Sequence, residues 1–267
     1  MIRLFLFLLG FYFLYAIVMV AAHPRFLYPF GPDKFDARGW RKEFIPNQTI
    51  AMAISEGSDR VAILFFMGNG GALAYYSPML SAHQNAGRTI AAMEYPGGGG
   101  IPGEPSERQL KADALVAYDW LATHHDGPVA VHGYSLGTGI AQHVAAKREV
   151  AAIILDAPYV KMCELMTRRA FLPACYLPGV QTWNSAALVP QLSAPILIQL
   201  GTDDQLIPIS DGQRLTHLMT TAGLNVTFHE VSRTAHNNLA HHPRYQDRIE
   251  GFLGALSLKN PESVSAD

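Results

Sequence analysis

The stretch Val129-Ala130-Val131-His132-Gly133-Tyr134-Ser135-Leu136-Gly137-Thr138-Gly139-Ile140-Ala141 decides the fold. It opens as a short apolar run that predicts a buried strand over 129–132. The chain then turns through Gly-x-Ser-x-Gly and continues as small residues that predict a helix to about residue 147. The reason for this composition is steric. A serine on a sharp strand-to-helix turn presents its hydroxyl above the sheet, and the chain passes that tightly only where its neighbours lack side chains. Gly133 and Gly137, two residues to either side of Ser135, supply the room. Leu136 falls at the helix start, where backbone N–H groups have no intrahelical partner and can bind a developing negative oxygen.

Outward from this stretch the pattern repeats. Residues 61–67 form a continuous apolar run, as expected of a parallel strand buried on both faces, and Gly68-Asn69-Gly70-Gly71 then leads into a helix over 72–85. Residues 88–93 read as the next strand, ending in the glycine-rich 94–103. Pro102 and Pro105 prevent a helix from starting directly after those glycines, which argues against a dinucleotide loop. Ser106-Glu107 opens a helix with Leu110, Ala114, Leu115, Tyr118 and Leu121 at helical spacing. Strands follow at 150–155, 195–200 and 225–231, with helices at 210–221 and 244–256; residues 48–54 alternate as an edge or antiparallel strand would. The βαβ rhythm predicts an α/β domain: a mostly parallel twisted sheet with helices on both faces. After the sixth strand the rhythm breaks. Residues 156–192 form a small, proline-interrupted apolar insertion, read equally as a cap over the strand ends or as ordinary packing on the core.

The amino-terminal residues are of another kind. Residues 4–22 carry no charge over 19 positions, close to the roughly 20 residues needed to cross a bilayer as a helix. That length favours an uncleaved anchor over a signal peptide, whose apolar core is about 7–15 residues, although Val20-Ala21-Ala22 is a tolerable cleavage site. Arg25, Lys34, Arg38, Arg41 and Lys42 follow the run. Read literally, the positive-inside bias keeps the domain cytoplasmic, whereas a short basic start also begins export signals; the side stays open. The expected organisation is an anchor or signal over 1–22, a linker over 23–39, a catalytic domain over 40–257 and a disordered tail over 258–267. The chain has 267 residues, 49% of them hydrophobic, with a net charge of -2, which suits one domain with a three-layer core. No basic run stands out among its 16% charged residues, which argues against nucleic acid as a partner. The histidines show no metal-ligand spacing. Cys163 and Cys175 read equally as one disulfide or two free thiols. Asn47 and Asn225 open formal glycosylation sequons.

Over residues 40–257 the chain resembles the α/β-hydrolase superfamily. The resemblance rests on four signals in order: Met67-Gly68-Asn69, the elbow at Gly133–Gly137, Gly201-Thr202-Asp203-Asp204 followed by Pro208, and Ala235-His236-Asn237. The loop from Tyr95-Pro96-Gly97 to Pro105-Ser106-Glu107 is similar to that of membrane-anchored hydrolases related to monoacylglycerol lipases and protein depalmitoylases. What the resemblance implies is a serine hydrolase acting on carboxylic esters or thioesters, of lipids or small molecules, without cofactor or metal. Ser135 would be the nucleophile, His236 the base and Asp204 the acid, with the N–H groups of Asn69 and Leu136 as the oxyanion hole. Register selects Asp204 over Asp203, and Asp156 is the alternative acid, since some hydrolases carry theirs at the end of that strand. Family members usually have His-Gly before the oxyanion residue; Met67 stands in its place. A serine peptidase of the same fold and a non-catalytic scaffold are the rival readings. The oligomeric state is not legible.

Overall fold

In the computed structural model, residues 1–31, 35, 38–45 and 50–257 are described. After helix α1 (Ile2–Leu27) come β1 (Arg41–Phe44), β2 (Ala51–Ser55), β3 (Ala62–Phe66), α2 (Ser77–Asn85), β4 (Ile90–Glu94), α3 (Glu107–His124), β5 (Val129–Tyr134) and α4 (Leu136–Ala145). The second half adds β6 (Ile153–Asp156), α5 (Met162–Ala170), β7 (Ile196–Gly201), α6 (Ile209–Thr221), β8 (Val226–Val231) and α7 (Tyr245–Ser257). Short 3-10 turns fill the gaps at Leu73–Tyr76, Ala174–Tyr176, Ala186–Gln191 and His236–His241.

The eight strands form one sheet in the order β1-β2-β4-β3-β5-β6-β7-β8. Every residue of β3 and β5 is buried, since each strand lies between parallel neighbours and under helices, which is why β3 and the start of β5 read as apolar runs. β2 pairs antiparallel with β4 and β1 antiparallel with β2, so residues 51–55 do not form the edge; β1 does. α3 packs on α4 and α2 on α7, and the helices cover both faces of the sheet. Ser106 caps α3 by accepting from the Gln109 N–H at 3.1 Å, as the sequence expected. α7 is clamped by a bidentate pair, with both Arg88 terminal nitrogens 2.6 Å from the Glu250 carboxylate.

The amino-terminal segment departs from its expected bounds. α1 runs five residues past Ala22, through Pro24, into what the sequence marks as linker. Proline in a helix leaves the carbonyl four residues back without its donor. Here His23 supplies one: its Nδ1 lies 2.6 Å from the Val20 carbonyl, while its Nε2 accepts from the Gln181 N–H at 3.1 Å. That pairing fixes the ring as the Nδ1-protonated tautomer. Tyr28 and Phe30 then pack inward, with Phe30 against Tyr95 at a ring separation of 5.6 Å. The rest of the expected linker lies partly outside the described residues, as do Asn47 and the whole of the expected tail. α1 is the one helix among the described residues long and apolar enough to cross a membrane.

Candidate active site

Ser135 sits at φ 50° and ψ -115°, a strained conformation for a residue with a side chain. Such strain costs about 1–3 kcal/mol and persists only where the surroundings over-determine it. Ser135 N–H donates to the Asp156 carbonyl at 2.8 Å, and the Thr138 hydroxyl donates to the Ser135 carbonyl at 2.6 Å. The glycines are sterically required. A Cβ on Gly133 would overlap the Gly137 carbonyl, and one on Gly137 would overlap the carbonyls of Phe66 and Met67.

Two loops bring the remaining polar groups to the serine. The β7–α6 loop carries Asp204, whose Oδ1 accepts from the N–H groups of Leu206 and Ile207, each at 2.8 Å. These bonds hold the carboxylate still and aim Oδ2 at His236 Nδ1, 2.6 Å away. His236, after β8, brings its Nε2 to 3.1 Å from Ser135 Oγ. The Asp204 carboxylate is fully buried, whereas the His236 imidazole keeps 12% of its side chain exposed. Tyr134, next to the serine, donates to the His236 carbonyl at 2.7 Å and so ties the histidine loop to the elbow. Burial pushes the Tyr134 hydroxyl well above its usual pKa, so it stays a donor.

The Asn69 loop faces the elbow. Gly71 N–H closes a turn on the Gly68 carbonyl at 3.3 Å, and Asn69 lines one cavity together with Ser135 and Leu136. The loop's anchors are tyrosines. Tyr95 donates to the Met67 carbonyl at 2.7 Å, and the Tyr76 hydroxyl packs against Gly68 and Gly70 so closely that a Cβ on either would crowd it. Both phenols are raised above their usual range by burial. Where family members usually carry a histidine before Gly68, the Met67 carbonyl is held instead by Tyr95. Sequence reasoning missed Tyr76, Tyr95 and Tyr134, because nothing in the local pattern separates a bonded tyrosine from a packed one.

The three candidate acids part company. Asp203, one residue from Asp204, is exposed and accepts from the Thr202 hydroxyl at 3.0 Å. Asp156 is buried behind the elbow; its carboxylate meets His132 Nε2 at 2.9 Å and the Tyr245 hydroxyl at 2.5 Å, not His236. Ser135, Asp204, His236, Asn69 and Leu136 are brought together; Asp203 and Asp156 are not part of that group.

Two hollows meet at this group. One, of about 440 Å³, is apolar and runs from Ser135, Asn69 and Leu136 between α1 and the insertion. The other, of about 890 Å³, is more polar and is lined by Tyr75, His236, Asn237, Asn238 and His241. The insertion is stapled by a disulfide, Cys163–Cys175, which settles the cysteines as a pair.

Residues 102–250, more than half of the chain and including the elbow, Asp204 and His236, match the dienelactone hydrolase family. The chain belongs to that family. Its relatives within and around the family include an uncharacterized protein of Mycobacterium tuberculosis, 30% identical over 165 residues that cover 60% of this chain and 58% of the relative. The lysophosphatidylserine lipase ABHD12 of Macaca fascicularis is 28% identical over 209 residues, 70% of this chain and 52% of that protein. This dienelactone hydrolase family member therefore spans a little over half the length of the curated relatives it matches. Among solved structures, Pyrococcus furiosus esterase Pf2001 superposes with a TM-score of 0.72 over 85% of this chain and 96% of its own, at 14% identity. Thermogutta terrifontis esterase Est2 does so at 0.64 over 87% and 96%, at 18% identity. At those identities the likeness establishes the α/β-hydrolase fold. The expectation of a superfamily member is borne out; none of these relatives is named as a monoacylglycerol lipase or a depalmitoylase.

Proposed function

We propose that this chain is a membrane-tethered serine hydrolase cleaving carboxylic esters or thioesters by way of an acyl-enzyme. The observation that carries the reading is the unbroken hydrogen-bond line from Asp204 through His236 to Ser135. A serine hydroxyl is unreactive at its own pKa, so His236 takes its proton as Oγ attacks the carbonyl carbon. Asp204 holds the proton on Nδ1 and stabilises the imidazolium that forms. The N–H groups of Asn69 and Leu136 receive the oxyanion, where loss of one donor typically costs about 10²–10³ in kcat. His236 also lines the polar hollow, so the proton it returns goes to a leaving group lying on that side. Water, activated by the same imidazole, then releases the acid. Relatives and neighbours named as a lipase and as esterases support this reading.

α1 serves as the tether in this reading, since most of its length is both apolar and exposed. One experiment tests enzyme and tether together. In membranes from cells expressing the full chain, a fluorophosphonate probe should label a band that stays in the pellet after carbonate washing. Ser135→Ala should abolish both the labelling and the hydrolysis of p-nitrophenyl butyrate. A wild-type chain that neither labels nor hydrolyses any ester would defeat the hydrolase reading; a labelled band released by carbonate would defeat the tether alone.

A further inference from the structure

The apolar hollow that ends at Ser135 has an unexpected second wall. One side is the insertion, through Met162, Met166 and Leu172; the other is α1, through Tyr15, Met19 and His23. The α1 contacts are not incidental. Residues 15, 16, 19, 20, 22, 23, 24 and 27 are the partly or fully buried positions of the helix, while residues 1–14 are all exposed. Hydrogen bonds fix the helix to the insertion: Tyr15 donates to the Ala170 carbonyl at 2.8 Å and Tyr12 to the Phe171 carbonyl at 3.2 Å. The His23–Gln181 bond already described adds a third point.

In the tether reading the exposed apolar surface of residues 1–14 lies in the bilayer, and the hollow begins on the same helix where that surface ends, at Tyr15 and Met19. Phe171 and Tyr176, midway along the insertion, are 84% and 88% exposed, and the Phe171 carbonyl accepts from Tyr12 of α1, which places exposed aromatic side chains where the domain would meet the lipid.

We infer that α1 is a wall of the acyl site as well as a tether: the hydrocarbon chain of the substrate lies between α1 and the insertion, enters from the bilayer, and has its length selected by Met19 and Val20. The inference rests on the hydrolase reading of Ser135. Each methylene fully buried in such a slot strengthens binding by up to about four-fold, so narrowing the slot must show as a change in chain-length preference.

The test uses the full chain in lipid nanodiscs and a series of p-nitrophenyl esters from butyrate to palmitate. Met19→Trp and Val20→Trp should each lower the palmitate-to-butyrate ratio of kcat/KM by about ten-fold or more. Ile17→Trp, on the exposed side of the same helix, should leave the ratio within about two-fold. An unchanged ratio in both slot variants, or an equal shift in Ile17→Trp, would overturn the inference while leaving the hydrolase intact. Absence of any Ser135-dependent hydrolysis in the wild type would instead bring down the hydrolase reading and this inference with it. Should the tryptophan variants fail to fold, the wild type still decides. An alkyl fluorophosphonate carrying a diazirine at its far end should, once bound to Ser135 and irradiated, crosslink to a peptide of α1. Crosslinks confined to other peptides would refute the α1 wall.

Discussion

Two aspartate–histidine pairs lie in this domain, and they differ in what stands on the far side of the imidazole. In the first, Asp204 and His236 are 2.6 Å apart and the other nitrogen faces Ser135 Oγ. In the second, Asp156 and His132 are 2.9 Å apart, both wholly buried, and the other nitrogen faces His83 Nε2 at 2.9 Å. The first pair comes from loops beyond the ends of β7 and β8. The second comes from within β5 and β6, where side chains are locked by their neighbours. The Asp156 carboxylate also takes the Tyr245 hydroxyl and the Gln199 amide, and Gln199 in turn takes Arg248, so this pair binds β5, β6, β7 and α7 into one block. The same two residue types thus leave one nitrogen facing a hydroxyl at the cavity where loops carry them, and form a keystone where the sheet closes both.

Substitution separates the two roles. Asp204→Asn should lower kcat by about 10⁴-fold, by analogy with the loss of the acid in serine proteases, with little change in thermal stability. Asp203→Asn, one residue away, should stay within about three-fold; steady-state kinetics on a short ester reads both. Were Asp203 the crippling position, the assignment of the acid would be wrong by one residue.

The buried pair should respond in the opposite sense. Asp156→Asn removes one partner from a closed network and should cost about 2–4 kcal/mol, seen in thermal melts as a loss on the order of 10 °C. At a temperature where the variant remains folded, kcat should fall less than ten-fold. A stable but inactive Asp156→Asn would merge the two pairs into one catalytic system.

Acid provides the smallest and most graded separation. Burial, with His132 and Arg88 nearby, holds His83 well below the ordinary histidine pKa, and its Nδ1 is buried without a hydrogen-bond partner. His143 is pushed down to about 4 by burial and by Lys111 and Lys147. Both rings stay neutral in the folded chain while the unfolded chain takes up protons below pH about 6.5, so stability falls as pH drops from there toward 4. The melting temperature should fall by a few degrees between pH 7 and 5, and His143→Gln should shrink that fall by about 1–2 °C. A pH-independent melting temperature over that interval would mean these rings are protonated in the native state.

The loop pair's place beside Ser135 was legible because its signals are local. Gly133 and Gly137 announce the elbow at two residues' distance, and Asp204 is marked by its register against Gly201 and Pro208. The buried pair was half legible: Asp156 was visible at its strand end, but its partner His132 reads as one more residue of an apolar strand. What stayed hidden depends on contacts between distant segments. Pro24 reads as a helix breaker only until His23 is seen to satisfy the carbonyl it frees. The contact of Tyr15 with Ala170, separated by 155 positions, has no signature in either segment. Nor does the pairing of Cys163 with Cys175, which needed the geometry of the insertion.

That bridge has a practical consequence for anyone handling the protein. It closes the loop between α5 and the turn at Ala174–Tyr176, and closing a loop of that length is worth about 3 kcal/mol in the chain-entropy account. Without it, this side of the hollow keeps its hydrogen bonds, such as the Ala174 N–H to the Thr167 hydroxyl at 3.1 Å and Tyr15 to the Ala170 carbonyl, but loses its covalent closure. Material made in a reducing cytosol or stored in dithiothreitol is then a different preparation from material made by secretion. A selectivity measured on one is not a property of the other.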